Sequence, residues 1–268
     1  MACDREILRE IWEGKLPICF QLNPEEANKL QPPEPFYLMV PRLSYFPLVT
    51  DKVRKYYQKY IDEEKQDNEM WLDFNGIPLK WHYPIGVLFD LNKTDIQLPW
   101  NITVHFDKFP EDELIHCQTR EAVESHFMNC IKEADVLKHR TQLVSSMQQK
   151  DHKQLWLGLQ NDKFDQFWAV NRKLMELSSG EEAFKYIPFR CYHLSKDNCM
   201  VQRLVKPLTE QGHRKTLRGL VQELFPEEEK TVHVMTHGVE PPWDTPLQWM
   251  SEHLSYPDNF LHLCVGYS

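Results

Sequence analysis

The chain has 268 residues, 41% hydrophobic and 26% charged, proportions of an ordinary globular protein with room for two or three compact units. No apolar run is long enough to span a bilayer, and a formal charge of −9 argues against sequence-blind binding of nucleic acid. The opening Met1-Ala2-Cys3-Asp4-Arg5-Glu6 is too charged for a secretory leader, and seven dispersed cysteines form no C-x-x-C pair, so a reduced, cytoplasmic setting is expected.

Asp4 is placed to cap a short helix with Ile7, Leu8, Ile11 and Trp12 inward and Gly14 at its end. Pro17–Leu22 and Phe36–Leu43 read as strands separated by the polar loop Asn23–Pro35. Val53, Tyr56, Tyr57 and Tyr60 fall at i, i+3, i+4 and i+7 and predict one amphipathic helix. A strand at Met70–Phe74, a turn at Asn75-Gly76 and a short strand at Ile77–Trp81 follow. Pro84 opens a helical turn through Leu88, and Pro99–Phe106 is a strand rich in β-branched and aromatic residues.

The same order returns near the C-terminus. Lys185–Leu194 and Met200–Val205 are strand-like, and Thr216 can cap a helix with Leu217, Leu220, Val221 and Leu224 inward. Thr231–Thr236, a turn at His237-Gly238, a helix over Pro246–Leu254 and a strand over Phe260–Val265 complete the set. The punctuation repeats as well: Asn75-Gly76, Pro84 and Pro99-Trp100-Asn101 correspond to His237-Gly238, Pro246 and Pro257-Asp258-Asn259. Two strands, a crossing helix and a return to the sheet form the β-grasp, the ubiquitin-like arrangement. The expected class is therefore α+β, with two β-grasp domains flanking a helix-rich one: residues 1–15 as an N-terminal helix, then domains at 16–107, 118–177 and 185–268.

Between the two β-grasp domains, Thr119 to Leu177 reads as helix throughout. Val123, Phe127, Cys130, Ala134 and Leu137 make a one-sided helix. Lys132, nine positions on from Val123, is rotated by about 180° at roughly 100° per residue. It is expected to face away from the packed stripe, beside Glu121, Ser125, Asp135 and His139. After Lys150 a second run carries Leu155, Trp156, Leu159, Phe164, Phe167, Trp168 and Leu174, with Asn161 as a cap. This aromatic set is expected to be core, the alternative being a binding groove. Ser178-Ser179-Gly180-Glu181-Glu182 reads as a linker.

Catalytic signatures are missing. Nine glycines build no phosphate-binding loop, and H-E-x-x-H and G-x-S-x-G are absent. His126 with Cys130, and Cys191 with His193 and Cys199, are weak metal candidates read as core residues, and no metal or other cofactor is expected. Cys130 on the apolar side of its helix is a poor nucleophile, because burial raises a thiol's pKa. The two sequons, Asn92-Lys93-Thr94 and Asn101-Ile102-Thr103, are read as chance. The chain closes on Val265-Gly266-Tyr267-Ser268, not Gly-Gly, so it is not expected to be a transferable modifier. The remaining role is to receive one through a lysine. Spacing does not single out Lys132 among twenty lysines, and Glu133 and Asp135 are expected to hold its amine protonated, leaving deprotonation to a partner enzyme.

The words Trp81-His82-Tyr83-Pro84-Ile85-Gly86, Leu98-Pro99-Trp100-Asn101-Ile102-Thr103-Val104-His105-Phe106, Lys132-Glu133-Ala134-Asp135, Asp151-His152-Lys153-Gln154-Leu155-Trp156 and Asp165-Gln166-Phe167-Trp168 resemble the animal autophagy protein 5 family. So does the run from Thr245-Pro246-Leu247-Gln248-Trp249 to His262. The resemblance spans nearly the whole chain. It implies two ubiquitin-like domains around a helical one, with Lys132 joined by an isopeptide bond to the C-terminal glycine of autophagy protein twelve. It also implies that a helix of the coiled-coil autophagy protein sixteen binds where the three domains meet. A ligase-like activity of the assembled conjugate toward lipidation of a ubiquitin-like modifier follows, with transient contacts to the pathway's conjugating enzymes. Contact with the phagophore membrane is implied too. Lys138-His139-Arg140 with Lys150 and Lys153, or Arg214-Lys215 with Arg218, are the basic stretches available for it. A non-conjugated adaptor and an enzyme built on Cys130 and His126 are the rival readings.

Overall fold

In a computed structural model the chain is described at every residue except 1, 29–32, 93–96, 141–142, 178–179, 194–199, 227–231 and 268, with only the backbone given at 2, 3 and 267. The first half of the expected linker, the sequon residues Lys93-Thr94, the strand ends Leu194 and Thr231, and Cys199 thus lie outside the described residues. The chain divides into two compact units, one of Glu13–Glu124 and one of Met1–Trp12 with Ser125–Ser268.

The N-terminal helix α1 (Ala2–Glu13) begins two residues before the expected cap, so Asp4 lies in its first turn, where a carboxylate suits the helix dipole. In the unit that follows, β1 (Lys15–Leu22) pairs antiparallel with β2 (Phe36–Pro41). The crossing segment holds α2 (Phe46–Val49) and α3 (Asp51–Tyr57). Then come β3 (Trp71–Phe74), β4 (Ile77–Pro78), α4 (Ile85–Leu91) and β5 (Trp100–His105). Strand order is β2-β1-β5-β3-β4, with β1 and β5 parallel and the other pairs antiparallel. That is a β-grasp sheet. β4 is shorter than expected: Pro78 has no N–H to extend the ladder. Trp100, fully buried on β5, fills the centre between Phe46, Phe74 and Phe89, with ring centroids 6.0, 5.9 and 5.5 Å away. The crossing helix is tied to the sheet by Tyr57, whose hydroxyl donates to Phe20 O at 2.6 Å and accepts from Phe36 N at 3.1 Å.

The expected continuous helical stretch is four helices, all in the other unit except the start of the first, up to Glu124: α5 (Arg120–Lys138), α6 (Leu143–Ser146), α7 (Gln149–Gln160) and α8 (Phe164–Met175). Asn161 ends α7 and does not cap α8. The α7–α8 hairpin is close because residue 158 is glycine: a Cβ there would lie 2.8 Å from Phe167 Cα. α1 joins this bundle. Trp12 packs on Phe164 and Phe167, and Arg5 and Arg9 each donate to Asp165 at 2.8 Å.

The second sheet is built from β6 (Phe189–His193), β7 (Met200–Val201), β8 (Val232–Met235) and β9 (Leu261–Tyr267), in the order β7-β6-β9-β8. β6 and β9 are parallel and the other pairs antiparallel, again a β-grasp. α9 (Leu217–Leu224) crosses it, with Thr216 accepting from Gly219 N as its cap, and α10 (Leu247–His253) follows Pro246 as α4 follows Pro84. The counterpart of β4 is only a bridge, Thr236 to Val239. The turns beside them match. Asn75 and Gly76 have φ of 53° and 80°, His237 and Gly238 have 52° and 79°, and both turns need two left-handed residues in succession. One face of the second sheet packs on Leu217, Leu220, Val221, Leu247 and Met250. On the other side, Cys130, Ala134 and Leu137 of α5 pack against Phe260.

Candidate functional site

α5 is packed on two sides, and that decides which of its side chains reach solvent. Val123, Phe127, Cys130 and Ala134 are buried as the helical period requires, but so are Met128, Ile131, Asp135, Lys138 and His139. Cys130 and Ala134 meet Phe260 in front of the sheet. Opposite, Phe127 meets Trp156 of α7, Asp135 accepts from Val144 N of α6 at 2.9 Å, and His139 Nε2 is 3.1 Å from Leu174 O of α8. What remains exposed on α5 is Arg120, Glu121, Ser125, Asn129, Lys132, Glu133 and Val136. The expectation that Asp135 and His139 share the outer face with Lys132 is therefore corrected, because a single-face helical count does not register the second packed side.

Lys132 is exposed, and among the described residues its amine has no ion-pair partner. The carboxylates one and three positions on, Glu133 and Asp135, are engaged elsewhere. Burial lifts the Asp135 carboxyl above its usual range while it holds the start of α6. Glu133 is taken by β6 and the segment after β7: Arg190 donates to its Oε2 at 3.2 Å and Gln202 to its Oε1 at 2.8 Å. The expected influence of Glu133 and Asp135 on the amine thus finds no contact behind it.

Arg190 anchors a buried polar group. Its guanidinium lies 4.1 Å from the Phe260 ring centroid, 3.5 Å from Cys130 Sγ and 3.9 Å from Asp258 Oδ2. Asp258 in turn pairs with His262 at 2.8 Å, and His262 Nδ1 meets the Tyr192 hydroxyl at 2.8 Å. Burial works against both charges. Even so, attraction to His262 and Arg190 holds the Asp258 carboxyl below the usual range, and Asp258 keeps Arg190 firmly protonated. The sequence reading missed Arg190 and Gln202. The available signal was an arginine inside the apolar run Phe189–His193, of opposite parity to the core residue Cys191.

Of the basic candidates, Lys138 is corrected outright. It is 1% exposed, with Nζ 2.9 Å from Met175 Sδ and 4.9 Å from the Phe184 ring centroid, and burial lowers its pKa to about 7. It takes no part in a surface patch, and neither does His139. Arg140 is exposed and pairs with Glu181 at 3.2 Å; Lys150 and Lys153 are exposed on the first turns of α7. In the other basic stretch Lys215 is held by Glu223 at 2.7 Å and Arg218 lies 5.7 Å from the Trp243 ring centroid.

Thiol and metal chemistry find little footing. Burial pushes the Cys130 thiol up to about 11, and the His126 ring nitrogen is 3.7 Å from its sulfur. His116 lies between Glu69 and Glu111, at 2.7 and 2.8 Å. Among the described residues no group of three His, Cys, Asp or Glu is placed to hold a metal, and no helix is long and apolar enough to cross a membrane.

Comparison with known proteins places this geometry. Three family descriptions match in order: the UblA domain of autophagy protein ATG5 over residues 11–106, its alpha-helical bundle region over 120–177 and its UblB domain over 186–265. Autophagy protein 5 of Drosophila melanogaster is 56% identical over 268 residues, covering 100% of this chain and 99% of the relative. Autophagy-related protein 5 of Caenorhabditis elegans is 35% identical, covering 98% of each. The crystal structure of Kluyveromyces marxianus Atg5 superposes with a TM-score of 0.83 at 20% identity, covering 98% of this chain and 100% of that one, a likeness of fold. Similarity at this level along the full length makes the chain a member of the autophagy protein 5 family, with a role in autophagy.

Proposed function

We propose that the chain is a conjugation scaffold whose Lys132 receives autophagy protein twelve. The lysine nitrogen attacks the thioester carbonyl at the modifier's C-terminal glycine, the carbon–sulfur bond breaks, the conjugating enzyme's thiolate leaves, and the amine's proton passes to a base of that enzyme. The observation that carries this reading is an exposed amine on a helix packed on two sides, with both neighbouring carboxylates turned away. The chain itself supplies position and no catalytic group. Joined to autophagy protein twelve and bound to a helix of autophagy protein sixteen, it acts as part of a ligase that promotes lipidation of a ubiquitin-like modifier with phosphatidylethanolamine. It does so in the cytoplasm, recruited to the phagophore membrane. Lys150, Lys153 and Arg140 are the basic side chains proposed for that membrane, since they are exposed where Lys138 is buried. The working division of the chain is 16–107, 118–177 and 185–268.

The test is reconstitution: the purified chain is incubated with the activating enzyme, the conjugating enzyme and the modifier, and the linked lysine is mapped. A cross-link at Lys132, absent from Lys132→Arg protein, is expected. Equal product from that variant refutes the site, and partner-helix binding with no conjugate favours the plain adaptor.

A further inference from the structure

We infer that the strap between β5 and α5, residues 106–119, is closed by a proton: His116 latches it as an imidazolium, and the latch loosens when that ring goes neutral. The latch is independent of Lys132 and belongs to the unit of Glu13–Glu124 alone. The strap forms no helix or strand, so side chains hold it. Its start is fixed without a histidine: Asn68 Nδ2 donates to Phe106 O at 3.0 Å, Trp71 Nε1 to Asp107 O at 2.9 Å, and Lys65 pairs with Asp107 at 2.8 Å. Further along, the hold passes through His116. Its Nδ1 lies 2.7 Å from Glu69 Oε2, ahead of β3, and its Nε2 lies 2.8 Å from Glu111 Oε2 on the strap. Phe109 stacks on the ring, with centroids 4.2 Å apart. Carboxylates only accept and a neutral imidazole has one N–H, so both contacts at once require the doubly protonated ring.

What the latch holds is the wall of a cavity. A space of about 590 Å³ is lined from the body of the unit by Phe46, Leu72, Leu79 and Trp81, and from the strap by Phe109 and Leu114. Trp81 Nε1 donates to Ile115 O at 2.7 Å, and Cys117 N donates to Glu69 Oε1, so Glu69 grips both the ring and the backbone beside it. The charged and titratable groups around the latch are Glu69 ahead of β3 and Glu111 and Cys117 on the strap. Across the cavity stand Asp67, Arg54 and the pair of Arg120 with Asp51. Hydrogen bonds to Glu69 and then Glu111 raise the His116 pKa above the usual 6.5. The latch is therefore complete below about pH 6.5 and is lost as pH rises through the folded value, while the start of the strap stays fixed.

The experiment follows the Trp81 indole N–H and the Cys117 amide by proton–nitrogen NMR of the full chain from about pH 5 to 9, the span in which imidazole changes charge. Hydrogen exchange of the strap amides, corrected for its intrinsic pH dependence, is measured alongside. Both signals are expected to move with one midpoint above 6.5. Exchange at 113–117 is expected to quicken about two- to five-fold at the alkaline end, the scale of an exposed ion pair, and exchange at 106–107 to stay unchanged. His116→Gln is expected to abolish the pH response and to keep the faster exchange throughout. Glu111→Gln, which leaves the Glu69 pair, is expected to lower the midpoint and keep a response. Signals that do not titrate, that titrate unchanged in His116→Gln protein, or that shift with no change in exchange overturn the inference. A midpoint unmoved by Glu111→Gln assigns the response to another group and overturns it as well.

Discussion

Lys132 and Lys138 stand six residues apart on α5, and the fold treats their amines in opposite ways. Lys132 lies on the open stripe with no ion-pair partner among the described residues, while Lys138 is enclosed by Met175 and Phe184. The difference teaches that exposure on this helix is set by its two packed sides and not by residue type. It also separates two uses of a basic side chain: one offered to partners, the other buried at a cost. His105 in the unit of Glu13–Glu124 adds a third case, a partly buried imidazole whose Nδ1 and Nε2 meet Glu26 at 3.1 Å and Asp73 at 2.5 Å.

The sharpest way to break the comparison is to exchange the amine itself. Lys132→Arg keeps charge and helix propensity, and it is expected to abolish conjugate formation while leaving the unfolding midpoint in place. Lys138→Arg, read by the same two measurements, is expected to lower the unfolding midpoint without moving the attachment site.

Next in size is the pH dependence of Lys138. Burial lowers its pKa from 10.5 to about 7, with Glu252, Asp258 and Asp135 partly offsetting that. Between those values the unfolded chain binds the proton that the folded chain has released, so stability rises with pH across the window and is flat below it. Lys138→Met is expected to remove that rise and to raise stability by a few kcal/mol at acidic pH, measured by urea unfolding. A parallel curve for variant and parent contradicts the buried-amine account.

His105 predicts the opposite slope. Burial disfavours its charge, but hydrogen bonds to Glu26 and Asp73 outweigh that and raise its pKa above the usual 6.5. Its contribution is complete below about pH 6.5 and is lost as pH rises through the folded value. His105→Gln should therefore cost about 1–3 kcal/mol under mildly acidic conditions and less in alkali. Smallest of all, Arg140→Ala removes an exposed pair with Glu181 and should change stability by less than about 0.5 kcal/mol.

Much of the fold was legible because it depends on local chemistry. Asn75-Gly76 and His237-Gly238 mark turns that need successive left-handed residues, Pro84 and Pro246 precede helices of equal length, and Thr216 caps α9 as expected. Lys132 faces outward as the helical count expects, though that count did not single it out among twenty lysines. The rest depends on long-range packing. Asp135, Lys138 and His139 lie inside because α6 and α8 cover a face that a one-sided period counts as solvent. Arg190 acquires its role only when β6 pairs with β9 and sets it beside His262 and Asp258.

The central claim meets its most direct test in a site count on the reconstituted product. Intact-mass measurement with peptide mapping is predicted to find one modifier per chain, all of it on Lys132 of the twenty lysines present. Modifier spread over other exposed amines such as Lys150 and Lys153, or left undiminished by Lys132→Arg, would contradict the account.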